Sequence, residues 1–262
     1  MERGPRSTRR EAAVVRLRRL LALVLAAGVG ACCQPVAGPE AGAPASCGDG
    51  MTPVQGRFCV DVYEASLVEV EAGVERPHRH NLPVGEARVR AVSLPGVLPQ
   101  AFISQREAAG ACAAAGKRLC TDDEWQTACS EAGRYPYGRE RRPGACNDEA
   151  RVAPLVQLFG RRPPGTPYTW KEMNDPRLGE VAGALAKTGQ FVGCRSADGA
   201  MDLVGNLHEW TAHPGGTFRG GFFGDTRQHG EGCSYETTAH DAGYRDYSVG
   251  FRCCRDLPAS PR

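Results

Sequence analysis

Apolar side chains recur at two different spacings along this chain, and each spacing predicts its own kind of element. Ser104-Gln105-Arg106-Glu107 has the hydroxyl and carboxylate of a capping box. Ala108, Ala109 and Cys112 follow at helical spacing and Gly116 ends the predicted helix. Thr121-Asp122-Asp123-Glu124 repeats the arrangement; Trp125, Ala128 and Cys129 then share one face, and Gly133 closes this second helix. The acids Asp122, Asp123 and Glu124 read as residues suited to the positive end of a helix dipole rather than as a catalytic cluster. A period of two runs from Phe58 to Tyr63 and, more weakly, from Ala87 to Val92, which predicts two half-buried strands. Phe218 and Phe251 sit in shorter strand-like pieces. From Arg139 to Pro167 no period survives and scattered prolines predict a loop. There is no internal repeat. The class these elements define is α+β, with few helices, short strands and many irregular loops.

The longest apolar run, Leu20 to Val29, belongs elsewhere. It follows Arg3, Arg6, Arg9, Arg10, Arg16, Arg18 and Arg19, and Val29-Gly30-Ala31 places small residues before Cys32. This predicts a secretory signal over 1–31, too short to span a membrane, with Cys32 acylated as in a bacterial lipobox. A plain signal peptide cut nearby is the alternative. From Gln34 to Ser46 the chain is mostly Pro, Ala and Gly, so 32–46 reads as a tether between lipid and domain. The folded domain is expected over 47–256, with a tail at 257–262. The expected setting is an exported, membrane-anchored lipoprotein of the cell envelope.

The leader changes the charge. The whole chain carries +2, but residues 1–31 hold seven Arg and two Glu, so the remainder carries −3. That balance offers no electrostatic case for nucleic acid. Of twelve cysteines, Cys32 and Cys33 sit at the lipid end and ten follow from Cys47 onward. An even set in an oxidising compartment predicts disulfides, and no CxxC pair has zinc-finger spacing. Cys47 and Cys59 are near enough in sequence for a local loop. Sequence alone leaves the other pairings open.

The richest chemistry lies in Met201-Asp202-Leu203-Val204-Gly205-Asn206-Leu207-His208-Glu209-Trp210, where two acids flank a Gly-Asn turn. Such a turn can aim carboxylates and backbone carbonyls at one hard cation. The alternative is a tight turn whose Glu209 pairs with Arg219 or Arg252. Lys117-Arg118-Leu119-Cys120-Thr121-Asp122-Asp123-Glu124-Trp125 and Tyr135-Pro136-Tyr137-Gly138 precede it. Arg219-Gly220-Gly221 and Gly250-Phe251-Arg252-Cys253-Cys254 follow. In that order, from about Gly48 to Cys254, these blocks resemble the formylglycine-generating enzyme family, the sulfatase-modifying factors.

The resemblance implies a C-type-lectin-like fold and two bridges, Cys112 to Cys253 and Cys129 to Cys233; Cys120, Cys146, Cys194 and Cys254 are then left to pair among themselves. It implies a structural calcium held by the Asp202 and Glu209 side chains and the Gly205 and Leu207 carbonyls. Asn147, with the Asp148 carbonyl beside it, is the candidate for a second calcium site. In the family the active site is a cysteine pair after Arg-Gly-Gly-Ser, whose soft thiolates suit copper. Here Gly220 to Gly230 contains no cysteine: Phe222 stands for the Ser, and Asp225 and about Gly230 stand for the pair. A carboxylate and a glycine cannot replace two thiolates, so copper is not expected.

The leading expectation is therefore a calcium-stabilised, envelope-anchored domain without the copper chemistry. It would act as a binding or protein-maturation accessory module, with a pocket near Phe222, Asp225 and His240 and a peptide or glycan ligand by analogy of shape. The alternative is an oxidoreductase of the wider family, formylglycine-generating or non-haem iron in type, acting on a peptide or thiol. Its support is His208, His213, His229 and His240 with Asp225, Glu231, Glu236 and Asp241 interspersed. His240-Asp241 has no nucleophile tied to it by motif.

Overall fold

A computed structural model describes residues 46–258 except 131, 132 and 239. The predicted leader, Cys32, nearly all of the tether and the last residues of the tail lie outside the described residues. In chain order the elements are β1 (Met51–Val54), β2 (Phe58–Asp61), β3 (Ser66–Glu71), β4 (Val74–Pro77), β5 (Val89–Val92), α1 (Gln105–Ala114), β6 (Arg118–Leu119), α2 (Asp122–Cys129), α3 (Pro154–Phe159), α4 (Trp170–Met173), β7 (His208–Trp210), β8 (Phe218–Arg219), β9 (Glu236–Thr237), β10 (Val249–Phe251) and β11 (Cys253–Asp256).

The strands form three small sheets, ordered β1-β2-β11-β6, β10-β7-β8-β9 and β4-β3-β5. The last strand of the chain thus lies between β2 and β6, pairing Cys254 with Val60 on one side and with Arg118 on the other. This placement explains a difference from the pattern-based expectation. Phe58 to Asp61 is buried at every position rather than at alternate ones, because β2 is covered by β1 and β11 at its edges and packed on both faces. In the second sheet β10 runs parallel to β7, setting Gly250 beside Glu209 and Phe251 beside Trp210. Gly250 is required there by space: a Cβ would lie 2.7 Å from Leu207 Cδ1 and 2.8 Å from the Gln100 carbonyl.

Both capping boxes form. Ser104 caps α1 and Thr121 caps α2, each with its partner glutamate returning a hydrogen bond to the cap amide. The buried face of α1 is Gln105, Ala108, Ala111 and Cys112, while Ala109 is exposed. Position 109 is a 100° rotation from 108, whereas 105, 108 and 112 fall on one stripe. The face of α2 is Trp125, Ala128 and Cys129, as the spacing predicts. The stretch from Arg139 to Pro167 is not all loop. Pro154 opens α3, where its fixed φ suits the first helical position and its missing N–H costs nothing.

Five disulfides brace this modest amount of regular structure: Cys47–Cys59, Cys112–Cys253, Cys120–Cys254, Cys129–Cys233 and Cys146–Cys194. Neighbours on a strand point to opposite faces. Cys253 and Cys254 therefore tie β11 to α1 on one side and to the start of α2 on the other.

Candidate functional site

Every residue from Met201 to Thr211 is buried, including the polar side chains of Asp202, Asn206, His208 and Glu209. Buried polar groups must find partners. The chain turns through left-handed corners at Asp202 (φ 61°), Gly205 (φ 79°) and Asn206 (φ 57°) to aim them. Gly205 allows a close approach, since a Cβ would fall 2.2 Å from the Asn147 carbonyl.

Asn206 is the hub. Its Oδ1 accepts from Asn147 Nδ2 and from the Ala186 amide, both at 2.9 Å, and its Nδ2 donates to Glu64 and to the Ala186 carbonyl. Glu64 Oε1 also accepts the Leu207 amide at 3.0 Å. One asparagine thereby holds together chain from four distant segments. Asparagine tolerates the left-handed corner while presenting both a donor and an acceptor.

Glu209 points the other way. Its Oε1 accepts from Arg252 Nη2 at 2.6 Å, and its Oε2 accepts from Arg252 Nε at 2.6 Å and Trp125 Nε1 at 2.7 Å. Arg252 is fully buried and also donates to the carbonyls of Asp61, at 3.0 Å, and Met201, at 2.8 Å. Arg219, the other candidate partner for Glu209, instead pairs with Asp122 and Glu236. Asp202 Oδ2 accepts the Gly189 amide at 2.6 Å. Three buried carboxyls, Glu64, Asp202 and Glu209, thus surround one guanidinium. Burial raises the Glu64 pKa well above the usual carboxylate range, and the charges of Asp202 and Glu209 add to it. Burial pushes Asp202 up to about 6, against the pull of the Gly189 amide and Arg252.

This geometry bears on the expected calcium. An ion at Asp202, Gly205, Leu207 and Glu209 would face the Arg252 guanidinium, which already holds both oxygens of Glu209. As folded, both Glu209 oxygens are engaged by Arg252, so Glu209 would have to share or give up those bonds to hold a calcium ion. Asn147 Nδ2 donates to the Ala184 carbonyl and to Asn206, and the Asp148 carboxylate pairs with Arg141. Among the described residues no group of three or more His, Cys, Asp or Glu is arranged to hold a metal ion.

The segment that replaces the family's cysteine pair makes a tight turn. Phe222 and Asp225 exchange both backbone hydrogen bonds, and Asp225 Oδ1 accepts the amides of Arg227 and Gln228. Its Oδ2 accepts the Tyr235 hydroxyl at 3.1 Å. Beneath this turn lies His208, packed among the rings of Phe218, Phe222 and Tyr235 at 4.8–5.4 Å between centroids. Burial holds its pKa down at about 3, helped by His240 and His229 and opposed by Asp225, so the imidazole is neutral at working pH. His208 Nδ1 is buried with no hydrogen-bond partner.

Of the histidine set, His240 stacks on Phe218 and His229 meets Tyr235 edge-on, two rings that also pack against His208, while His213 Nδ1 accepts the Gly215 amide of its own turn. Glu231 binds Tyr135 and Arg134, Glu236 binds Arg219, and Asp241 caps the Gly243 amide. The three residues expected to share a pocket have different immediate surroundings. Phe222 lines an open cleft of about 340 Å³ with Phe223, Tyr168, Tyr247 and Val152. Asp225 is the anchor of its turn, and His240 stacks on Tyr244 at 3.7 Å.

Sequence reading missed Glu64 and Asn206 as site residues. Asn206 carries a signal, the Gly-Asn pair, but a pattern of calcium ligands draws on the carbonyls to either side of it. Glu64 carried none, since a single acid after a strand has no period or spacing to mark it.

The fold and site define a disulfide-braced α+β domain organised round a buried carboxylate–arginine–asparagine core. The chain belongs to the family of sulfatase-modifying factor enzyme 1-like domains, whose model matches residues 75–257. Residues before the matched span belong to the same fold, because β2 sits beside β11 at the centre of the first sheet. No curated protein sequence matches the chain significantly. Among solved structures it is similar to PvdO from Pseudomonas aeruginosa, with 15% identity, 76% of this chain and 80% of that one covered, and a TM-score of 0.46. CarF shows 18% identity over 62% of this chain and 68% of that one, with a TM-score of 0.37. The Major Tropism Determinant P3c Variant shows 15% identity over 79% of this chain and 52% of that one, with a TM-score of 0.43.

Proposed function

We propose that this domain is a binding or protein-maturation accessory module of the family that does not carry out formylglycine synthesis by copper–thiolate chemistry. One observation carries the reading: all ten cysteines among the described residues are joined in five disulfides, and Asp225 and about Gly230 stand where the reactive pair belongs. Thiolates are required to hold copper(I) softly, and a thiol locked in a disulfide offers neither charge nor a free lone pair of that kind. The aromatic cleft beside Phe222 supports the binding role. Its walls offer ring faces and edges to an apolar or hydroxylated ligand, such as a peptide or glycan. Incubating the protein with copper and a cysteine-containing sulfatase-motif peptide is expected to leave the peptide mass unchanged. A loss of mass matching conversion of the cysteine to an aldehyde overturns the reading.

Stability in this module rests on Arg252 where the family resemblance would place calcium. Calorimetry on chelator-treated protein is therefore expected to show no calcium-dependent rise in melting temperature, and a rise of several degrees would restore the ion. The module is anchored through Cys32 by acylation, supported by the lipobox-like Val29-Gly30-Ala31-Cys32. Growth on a radioactive fatty acid should label the protein, and an unlabelled protein rules the anchor out.

A second reading is favoured by His208. An imidazole kept neutral by burial, with Nδ1 unpaired and His229 and His240 nearby, has the chemistry of a nitrogen ligand in a redox centre. In that reading the domain is an oxidoreductase acting on a peptide or thiol. Metal analysis of purified protein decides it, because iron or copper near one equivalent is required.

A further inference from the structure

We propose that a second cleft, remote in sequence from the Phe222 turn, recognises a carboxylate-bearing segment of an acidic peptide through Arg139 and Arg195. The cleft holds about 470 Å³. Its walls are the last turn of α2 from Thr127 to Ser130, the Tyr135–Gly138 turn, and the turn from Arg195 to Asp198.

Both outer walls are fixed by covalent bonds. Cys129 at the end of α2 is tied to Cys233, and Cys194, next to Arg195, is tied to Cys146. The middle wall is braced by rings: Tyr137 stacks on Tyr135 at 5.4 Å, and the Arg142 guanidinium lies 4.0 Å from the Tyr137 centroid. The Tyr135 hydroxyl donates to Glu231 at 2.8 Å. A cleft with walls held this way loses little conformational freedom when it binds.

The charges in the cleft point to the ligand. Nearby arginines are committed: Arg134 to Glu231, and Arg141 to Asp148 and Glu149. Arg139 and Arg195 line the cleft, and neither makes an ion pair among the described residues. The Arg195 head lies over Gly199, where a Cβ would come within 3.3 Å of Nη2, so a bare backbone leaves room for it. Guanidinium forks match the two oxygens of a carboxylate. Asp198, on the same wall as Arg195, sets the charge state. Among the described lining residues two guanidiniums and one carboxylate leave a single positive charge, which one carboxylate neutralises. A dianionic phosphate would bring surplus charge against Asp198. The volume exceeds that of a lone carboxylate and suits a short peptide, whose amide N–H groups can donate to the Asp198 carboxylate. This inference is independent of the copper question.

The test uses the detergent-solubilised full chain, titrated in low salt with acetyl-Ala-Glu-Ala-amide, its Gln counterpart and inorganic phosphate. The Glu peptide should bind at least tenfold more tightly than the Gln peptide, and raised salt should weaken it. Arg139→Gln and Arg195→Gln should each cost at least fivefold with the melting temperature unchanged, because both side chains are exposed. Asp198→Asn should improve phosphate binding relative to the peptide. Absence of Glu-peptide binding overturns the proposal, as do equal binding of the Gln peptide, full binding by the double arginine variant, or tighter binding of phosphate by the unaltered chain.

Discussion

Arg252→Met is expected to destabilise the domain by about 3–5 kcal/mol, because removing one partner of a buried pair leaves uncompensated charge in the interior. Arg252 is fully buried, and its guanidinium is the cation that Glu209, Asp202 and Glu64 share. Methionine keeps much of the volume, so the cost is mainly electrostatic. Five acceptors lose a donor as well, both Glu209 oxygens and the Asp61, Val62 and Met201 carbonyls. For a domain of this size the change corresponds to a fall in melting temperature of about 10 °C. The loss should depend on pH in a defined direction. Asp202 is raised on folding from 3.8 to about 6, and Glu64 is raised in the same direction. A carboxyl raised on folding adds stability that is complete below its unfolded pKa and is lost as pH rises through its folded pKa. In the unaltered protein the Asp202 contribution therefore fades between about pH 4 and 6, on the order of 3 kcal/mol. In Arg252→Met the deficit should be largest at pH 8 and narrow at pH 5, where Glu64 and Asp202 can protonate. Urea unfolding at the two pH values measures it. A pH-independent loss below 1 kcal/mol would show that the guanidinium does not balance these carboxyls.

The paired disulfides of β11 should behave as a coupled unit. With Cys129–Cys233 intact, the Cys112–Cys253 bond closes a ring of about 40 residues, contributing about 4 kcal/mol by chain entropy. Cys120–Cys254 then closes only a small further ring of about ten residues, contributing about 2.5 kcal/mol. Removing either bond as a pair of alanines is expected to cost about 2.5 kcal/mol, because the other still holds the larger ring. Removing both should cost about 6 kcal/mol, more than the two losses added. Cavity costs at these fully buried cysteines accompany each variant and largely cancel in the comparison. Strict additivity in denaturant unfolding would mean that β11 is not jointly anchored to α1 and the start of α2.

Local chemistry was legible where it acts over a few residues. Ser104 and Thr121 announced α1 and α2, since a hydroxyl and a glutamate three positions later satisfy helix-start amides without help from elsewhere. The β3–β4 hairpin and α3 escaped notice because their periods are short. The burial of Phe58 to Asp61 on every side was invisible for another reason: it depends on β11 arriving from nearly two hundred residues away. The candidate site divides in the same manner. The stretch from Met201 to Trp210 stood out by its residue types, but its partners did not.

The sequence by itself determined the class, the two capped helices and the family, because these reside in spacing along the chain. It also determined that the segment after Arg219-Gly220-Gly221 has no thiol to offer. Only the tertiary structure decided which of two candidate arginines Glu209 meets, Arg252 rather than Arg219. It placed Arg252, Glu64 and Asn206 around that turn, and it set Phe222 on an open cleft, Asp225 as the anchor of the adjoining turn and His240 against Tyr244. A carboxylate's role depends on which charge lies within a few ångströms of it, and that distance is set by how remote segments pack.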